Sequence, residues 1–241
     1  QLIATIDKAH AVAKKLQDAP AAKYYTKEQT PQTEVLLAPY DAKNIYMMQY
    51  SNDGKKWNPA EQPVITVFNE YFGGGMNGVV FQELRESRGL AYSAYADYST
   101  PHRQRDTDYA MTYIISQNDK MPDCIRVFND IIDTLPQSEQ AFEQAKQATS
   151  KRIASERITK TGIIFSYLSN LERGINYDIR RNIYDALPNL TLKDVVNFEK
   201  NNFAGKTWRY IILGDEKNLD MKALEKLGTI KRVSTEEIFG Y

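Results

Sequence analysis

The segment that decides the fold runs from a predicted helix straight into a predicted strand and reads Phe81-Gln82-Glu83-Leu84-Arg85-Glu86-Ser87-Arg88-Gly89-Leu90-Ala91-Tyr92-Ser93. Arg85 lies in the last turn of the helix, and Gly89 ends it because glycine accepts the backbone conformation found just after a helix. The strand begins at once and includes Tyr92. We expect this corner to bring the Arg85 guanidinium and the Tyr92 phenol to one surface, where two hydrogen-bond donors suit a peptide carbonyl or an oxyanion.

The residue types alone leave a second interpretation of this corner open. An arginine near the C-terminus of a helix is favourable in any case, because its charge interacts with the helix dipole. A tyrosine is also a common strand residue. On physical grounds alone, a purely structural role for Arg85 and Tyr92 is therefore favoured.

Two helices are predicted immediately before this corner. Apolar spacing predicts the first over residues 59–72, with Pro59 in its first turn, and the second over about 77–88. Between them stands the run Gly73-Gly74-Gly75. It follows a helix instead of a strand and has no Gly-Lys-Thr/Ser ending, so a nucleotide site is not indicated. The glycines are better explained as a helix stop that lets two helices pack closely.

The rest of the chain predicts strands and helices in separate runs. Residues 34–37 and 44–50 flank Pro39-Tyr40-Asp41 and predict a β-hairpin. Further strands are predicted over 90–98, 109–115, 207–213 and 230–233, and further helices over 2–18, 121–135, 139–157, 161–173, 179–186, 192–201 and 221–227. This order predicts an α+β fold with a mixed, mostly antiparallel sheet and helices packed on one face.

Composition excludes several classes of function. The chain has 241 residues, 42% of them hydrophobic, and its 31 basic and 31 acidic residues give no net charge. A chain without net charge has no global field to attract nucleic acid or an anionic membrane. No apolar run is long enough to span a bilayer. Because the chain starts with Gln1 and not with Met, we expect it to derive from a longer polypeptide or to have lost a leader.

The sequence gives little support for a catalytic metal site or a catalytic nucleophile. A zinc peptidase needs two histidines one helical turn apart and a carboxylate. This chain has two histidines, His10 and His102, which are far apart in sequence and lack an i+4 partner. Cys124 lies on the apolar face of a predicted helix, where a packed, inert thiol is expected. We therefore expect no metal site, no cofactor and no hydrolysis by this chain alone.

The corner and its surroundings resemble a known peptidase family. A Gly-Gly-Gly run followed by Leu-Arg-Glu-x-Arg-Gly-Leu-Ala-Tyr-Ser is similar to the signature of the C-terminal, non-zinc-binding domain of the pitrilysin (M16, inverzincin) metallopeptidases. The pattern continues through Phe142-Glu143-Gln144-Ala145-Lys146 and Ile212-Leu213-Gly214-Asp215. The resemblance covers residues 33–241 and implies a pitrilysin/LuxS-like metallopeptidase fold for that domain, preceded by a linker helix and connection over residues 1–32.

The resemblance also implies a division of labour between two domains. In such enzymes a zinc-bearing domain with a His-x-x-Glu-His helix faces a similarly folded domain that has lost the motif. An Arg and a Tyr of the second domain reach the substrate near the scissile bond, and these roles fall on Arg85 and Tyr92. The helix at the zinc-helix position is the one over residues 59–72, which contains Glu61 and Glu70 but no histidine.

Two functions are therefore expected. The first is a substrate-binding, non-catalytic domain of a zinc-dependent endopeptidase that acts on peptides or unfolded chains, with the zinc in a homologous partner domain. An extended peptide could add to an exposed sheet edge, and Tyr95 and Tyr98 are expected on the open, substrate-facing surface. The second is a structural or scaffold subunit without a peptidase role. The resemblance favours a bacterial periplasm over the cytoplasm.

Overall fold

Residues 1–10 and 18–240 are described by the structure, which is a computed structural model. The first helix, α1 (Leu2–Ala9), has no buried residues. It accounts for the first part of the helix predicted over residues 2–18, and residues 11–17 lie outside the described part. The segment before the sheet contacts the domain at Thr30, whose backbone N–H donates to the Asn52 carbonyl at 2.9 Å. The proposed boundary between residues 32 and 33 stays a prediction.

One six-stranded sheet organises the domain, and its order is β3-β4-β2-β5-β1-β6. The strands are β1 (Glu34–Pro39), β2 (Asn44–Ser51), β3 (Ala91–Ser99), β4 (Tyr109–Gln117), β5 (Arg209–Gly214) and β6 (Thr229–Arg232). The pairs β3–β4, β4–β2 and β2–β5 are antiparallel. The pairs β5–β1 and β1–β6 are parallel. The predicted mixed, mostly antiparallel sheet is confirmed.

The hairpin predicted from residues 34–37 and 44–50 is wrong. Both strands form, but β5 lies between them and pairs with each. The Tyr40 N–H donates to the Gly214 carbonyl at 3.0 Å, so the connection after β1 crosses the end of β5. Tyr210-Ile211-Ile212-Leu213 is an uninterrupted apolar strand, and such a strand gains most from pairing on both sides.

The helices follow the predicted order, except that α10 was not predicted. After α1 they are α2 (Gln62–Phe72), α3 (Val79–Phe81), α4 (Met121–Asp133), α5 (Glu139–Ser155), α6 (Lys160–Glu172), α7 (Ile179–Ala186), α8 (Leu192–Asn202), α9 (Met221–Glu225) and α10 (Thr235–Phe239). A short 3₁₀ turn, Pro59–Glu61, leads into α2. The side chain of Thr191 caps α8 by accepting from the Asp194 N–H.

The core lies between the helices and one face of the sheet. Along β4 buried and half-exposed residues alternate, so one face of the sheet is covered and the other is open. On the covered side Phe68 packs against Phe198 and Phe203, with ring centroids 5.1 and 5.0 Å apart, and these contacts hold α2 against the end of α8. Tyr98 joins this cluster and is 4% exposed, so its predicted place on the open surface is wrong, whereas Tyr95 is 38% exposed there.

Candidate functional site

The corner between α3 and β3 is built from an unusual helical turn. Residues Gln82–Glu86 form a π-helical segment, in which the Ser87 N–H donates to the Gln82 carbonyl at 2.9 Å. Gly89 then adopts φ +55°, a left-handed conformation that glycine reaches without a steric penalty. The Gly89 N–H donates to the Arg85 carbonyl at 3.0 Å. π-Helical turns inside helices are frequent at functional sites, and this one contains Arg85.

A β-bulge directs the side chain of Tyr92. Ala91 pairs with Ser116 and Ser93 pairs with Ile115, so Tyr92 is the extra residue on β3. Bulges re-aim a side chain and often lie next to binding sites. The result here is that Tyr92 points outward and is 75% exposed. Its hydroxyl makes no hydrogen bond within the described part of the chain.

Arg85 and Tyr92 lie together on the surface of this corner. The Arg85 Cζ atom is 5.6 Å from the centroid of the Tyr92 ring and 4.9 Å from that of the Phe81 ring. The nearest carboxylate is that of Glu86, with its Oε1 3.8 Å from the Arg85 Nε. The two rings hold the guanidinium in place while its charge stays available. The structure thus brings together the two side chains that the sequence singled out.

Hydrogen bonds from β4 and α4 and from Lys120, just before α4, fix the backbone beneath this pair. The Leu90 carbonyl accepts from the Ser116 hydroxyl at 2.6 Å and from the Cys124 thiol at 3.3 Å. Lys120 donates through Nζ to the Gly89 carbonyl at 3.0 Å. Cys124 is buried, as predicted, and burial raises the pKa of its thiol, so it stays protonated and supports the corner as a weak donor.

Arg88 is engaged differently from Arg85. Its Nη1 donates to the Glu83 carbonyl at 2.9 Å and pairs with the Glu83 carboxylate. Both contacts lie within the helical segment that carries Arg88. The Arg88 guanidinium is therefore engaged in a local ion pair and is not a free donor at the corner.

A groove with a volume of about 700 Å³ lies beside the corner, between α2 and β3. The outward side of α2 lines it with Gln62, Thr66, Asn69 and Glu70. Glu61, the other carboxylate of this helix region, is not part of it and pairs with Lys55 at 2.7 Å. Sequence reasoning missed the groove because its walls come from segments far apart in the chain.

The contact between α2 and β3 is close and specific. The Asn69 amide accepts from the Tyr98 N–H at 2.9 Å and donates to the Tyr98 carbonyl at 3.0 Å, as a neighbouring strand would. A Cβ atom on Gly73 would lie 1.7 Å from the Ala96 carbonyl oxygen, so only glycine fits there. Helix α2 therefore covers the outer edge of β3 at Ala96 and Tyr98.

The chain matches a known protein family. The sequence profile described as Peptidase M16 inactive domain matches residues 3–149, more than half of the chain. The chain belongs to the peptidase M16 inactive-domain family. This family membership confirms the resemblance derived from the corner motif. No curated protein sequence matches the chain.

Solved structures share the fold of this M16 inactive domain. A peptidase M16 inactive domain from Pseudomonas fluorescens is similar with a TM-score of 0.62 and 15% identity, over 81% of this chain and 46% of that one. A protease from Helicobacter pylori gives 0.63 and 13%, over 88% and 52%. The periplasmic protease PqqL from Escherichia coli gives 0.61 and 13%, over 89% and 24%. The chain thus spans about half or less of these proteins.

Within the described residues, this M16 inactive domain has no group of three or more His, Cys, Asp and Glu side chains that could hold a metal ion. His10 is exposed, and His102 lines the groove. The described helices also include none that is both long and apolar enough to cross a membrane.

Proposed function

We propose that this domain grips the substrate of a zinc-dependent M16 endopeptidase that acts on peptides or unfolded chains. The zinc ion belongs to a homologous domain that faces this one across a chamber. The observation that carries the proposal is the pairing of Arg85 and Tyr92, whose guanidinium and phenol share one exposed surface. They are held there by the π-helical turn Gln82–Glu86 and by the bulge at Tyr92.

The chemistry asked of this pair is hydrogen-bond donation. When water adds to a peptide carbonyl, negative charge develops on the carbonyl oxygen, and fixed donors stabilise that charge. Arg85 offers a planar, permanently charged fork, and Tyr92 offers one O–H. Both donors stand on a rigid corner, so little reorganisation is required when the charge appears.

The path of a bound peptide follows from the edge of the sheet. Among the described strands, β3 lies at the edge of the sheet and pairs with β4. Its outer edge is covered by α2 at Ala96 and Tyr98, as the Asn69 and Gly73 contacts show. A peptide that extends the sheet would therefore pair with the first half of β3, directly beside Tyr92.

The partner we propose is a zinc-bearing M16 domain in the same polypeptide or in a separate subunit. Support comes from the family assignment and from the length of the solved relatives, of which this chain spans about half or less. We also propose a bacterial periplasm as the location of the enzyme, because one protein of similar fold is a periplasmic protease.

A scaffold function is the second candidate, and helix α6 favours it. This helix has no buried residues, and its outward surface carries six large apolar side chains that are 45–72% exposed, namely Ile163, Ile164, Phe165, Tyr167, Leu168 and Leu171. Exposed apolar patches of this kind mark interaction surfaces. A domain kept only for assembly would need α6 and not the corner.

Conservative substitutions at the corner test the first function. Tyr92→Phe removes only a hydroxyl that has no partner in the described structure, so folding should be unchanged. Arg85→Lys keeps the charge and loses the fork. We expect each to lower kcat/KM of the zinc-bearing parent enzyme roughly a hundredfold, because each removes a donor from the developing oxyanion.

The matched control is Arg88→Lys, because the Arg88 guanidinium is already paired with the nearby Glu83 carboxylate. It should keep nearly full activity. Melting temperatures of all three variants separate loss of function from loss of fold. Full activity of Tyr92→Phe and Arg85→Lys, or a loss that only follows stability, would assign the corner to structure and favour the scaffold.

A further inference from the structure

The groove beside α2 is polarised along its length. Helix α5 starts near the end of α2, where the Tyr71 hydroxyl donates to the Pro136 carbonyl at 2.7 Å and accepts from the Ser138 N–H at 3.0 Å. The two helices pack against each other, so α5 runs back along α2 towards Gln62. This direction places Arg152, which lines the groove, at the Gln62 end.

Strand β3 and its following loop run in the same direction as α5. Tyr98 is bonded to Asn69, and farther along the chain Thr100 lies near Gln62, because the Arg173 Nη2 donates to both side chains, at 3.1 and 3.3 Å. His102, two residues beyond Thr100, also lines the groove. One end of the groove therefore holds the Arg152 guanidinium and the His102 imidazole.

The opposite end of the groove is anionic. Glu70 lies there, one turn before Gly73, and Tyr95 also lines the groove. Neither Glu70 nor Arg152 makes an ion pair within the described part of the chain. Asp97 lines the groove near the same anionic end, because its chain neighbours Ala96 and Tyr98 contact Gly73 and Asn69. Unpaired charges of opposite sign thus face one groove from its two ends.

The distance between the two charged ends of the groove determines the length of peptide that can reach both. Eight residues separate Gln62 from Glu70 on one helix, which corresponds to about 12 Å at 1.5 Å per residue. An extended peptide advances about 3.3–3.6 Å per residue, so about three or four residues fill this span. A free peptide of that length carries a carboxylate at one end and an ammonium group at the other.

We propose that this groove binds short peptides with free termini, with the carboxylate at Arg152 and His102 and the ammonium group at Glu70. Peptides of this size are the class of fragment that proteolysis releases. The site is separate from the Arg85–Tyr92 corner, and it would exist in a scaffold as well as in a peptidase subunit.

Blocked and free peptides test the proposal directly. Tetra-alanine, tetra-alanine amide and N-acetyl tetra-alanine are titrated into the chain by isothermal titration calorimetry. We expect either blocking group to weaken binding roughly tenfold, because each removes one charge-assisted hydrogen bond. Arg152→Gln should abolish the difference between free and amidated peptide, and Glu70→Gln the difference between free and acetylated peptide.

The control variant is Arg157→Gln, an exposed arginine that does not line the groove and should bind all three peptides as the wild type does. Equal binding of the three peptides, no binding of tetra-alanine, or an equal effect of Arg157→Gln and Arg152→Gln would each overturn the proposal. Tyr92→Phe should leave tetra-alanine binding unchanged, so a failure at the groove is distinguishable from a failure of the corner.

Discussion

Glu199 is a carboxyl group placed inside the hydrophobic layer. It lies on α8, is 1% exposed, and its Oε1 atom has no hydrogen-bond partner within the described residues. Burial and the nearby Asp133 carboxylate raise the pKa of Glu199 to about 7, against a smaller opposing effect of Lys200. An uncharged carboxyl is the less costly form in such a place.

The pH dependence of stability should report this group. In the unfolded chain Glu199 titrates near 4.5 and in the folded domain near 7, so the folded domain holds an extra proton between these values. Stability therefore falls as pH rises from about 4.5 to 7. We expect the free energy of unfolding of Glu199→Gln to exceed that of the wild type by roughly 1–3 kcal/mol at about pH 8 and to match it near pH 4.5.

Urea unfolding of the two proteins at both pH values measures this difference. Glu225→Gln, at an exposed position on α9, is the control and should give no pH-dependent gain. If Glu199→Gln behaves like Glu225→Gln at both pH values, then Glu199 is ionised in the folded domain and the raised pKa is wrong.

Residue identities at the corner were predictable, but their geometry was only partly so. Arg85, Gly89 and Tyr92 follow from the motif and from glycine chemistry. The π-helical turn and the bulge do not, because they depend on tertiary contacts such as the Ser116 and Cys124 bonds to the Leu90 carbonyl. Local sequence contains no signal for a partner that is distant in the chain.

At the scale of elements, the close approach of α2 to β3 positions both the corner and the groove. Gly73 has φ −111°, which alanine also adopts, so backbone conformation does not demand glycine there. Lack of space demands glycine, because an added Cβ would overlap the Ala96 carbonyl. We expect Gly73→Ala to lower the free energy of unfolding by roughly 3–5 kcal/mol, an effect as large as a core defect.

Gly75→Ala provides the comparison, because Gly75 has φ +65° and a Cβ there would meet nothing within 4 Å. Its cost should be about 1 kcal/mol, the usual penalty for a left-handed alanine. Urea unfolding distinguishes the two sites. Similar losses in both variants would mean that α2 shifts easily on β3 and that the close approach is not a constraint.

Elements were easier to predict than their pairing. The helices and strands that position the site follow from periodicity, which is a local property. The insertion of β5 between β1 and β2 is not local, and a hairpin was the simpler interpretation of a short connection. Helix α10 was missed although Ser234 and Glu237 form a capping box, a signal that the sequence does contain.

At the scale of the molecule, the open face of the sheet is an apolar surface. Tyr95 and Tyr113 lie on it with ring centroids 5.2 Å apart, and Tyr46 stands on the neighbouring strand β2. These rings are half-exposed, whereas residues of the opposite face are buried among helices. A surface of this kind is expected to face a partner.

We predict that this face meets a homologous domain in the parent protein and, in the isolated chain, a second copy with weak affinity. Sedimentation velocity should show a compact paired-domain particle for the parent and concentration-dependent association for the chain. Tyr113→Lys should weaken self-association roughly tenfold or more, because a charge buried in an interface without a partner is costly. Tyr184→Lys, on the exposed side of α7, should have no effect. Independent tumbling of the two halves of the parent, or equal association of both lysine variants, would show that the open face is not an interface.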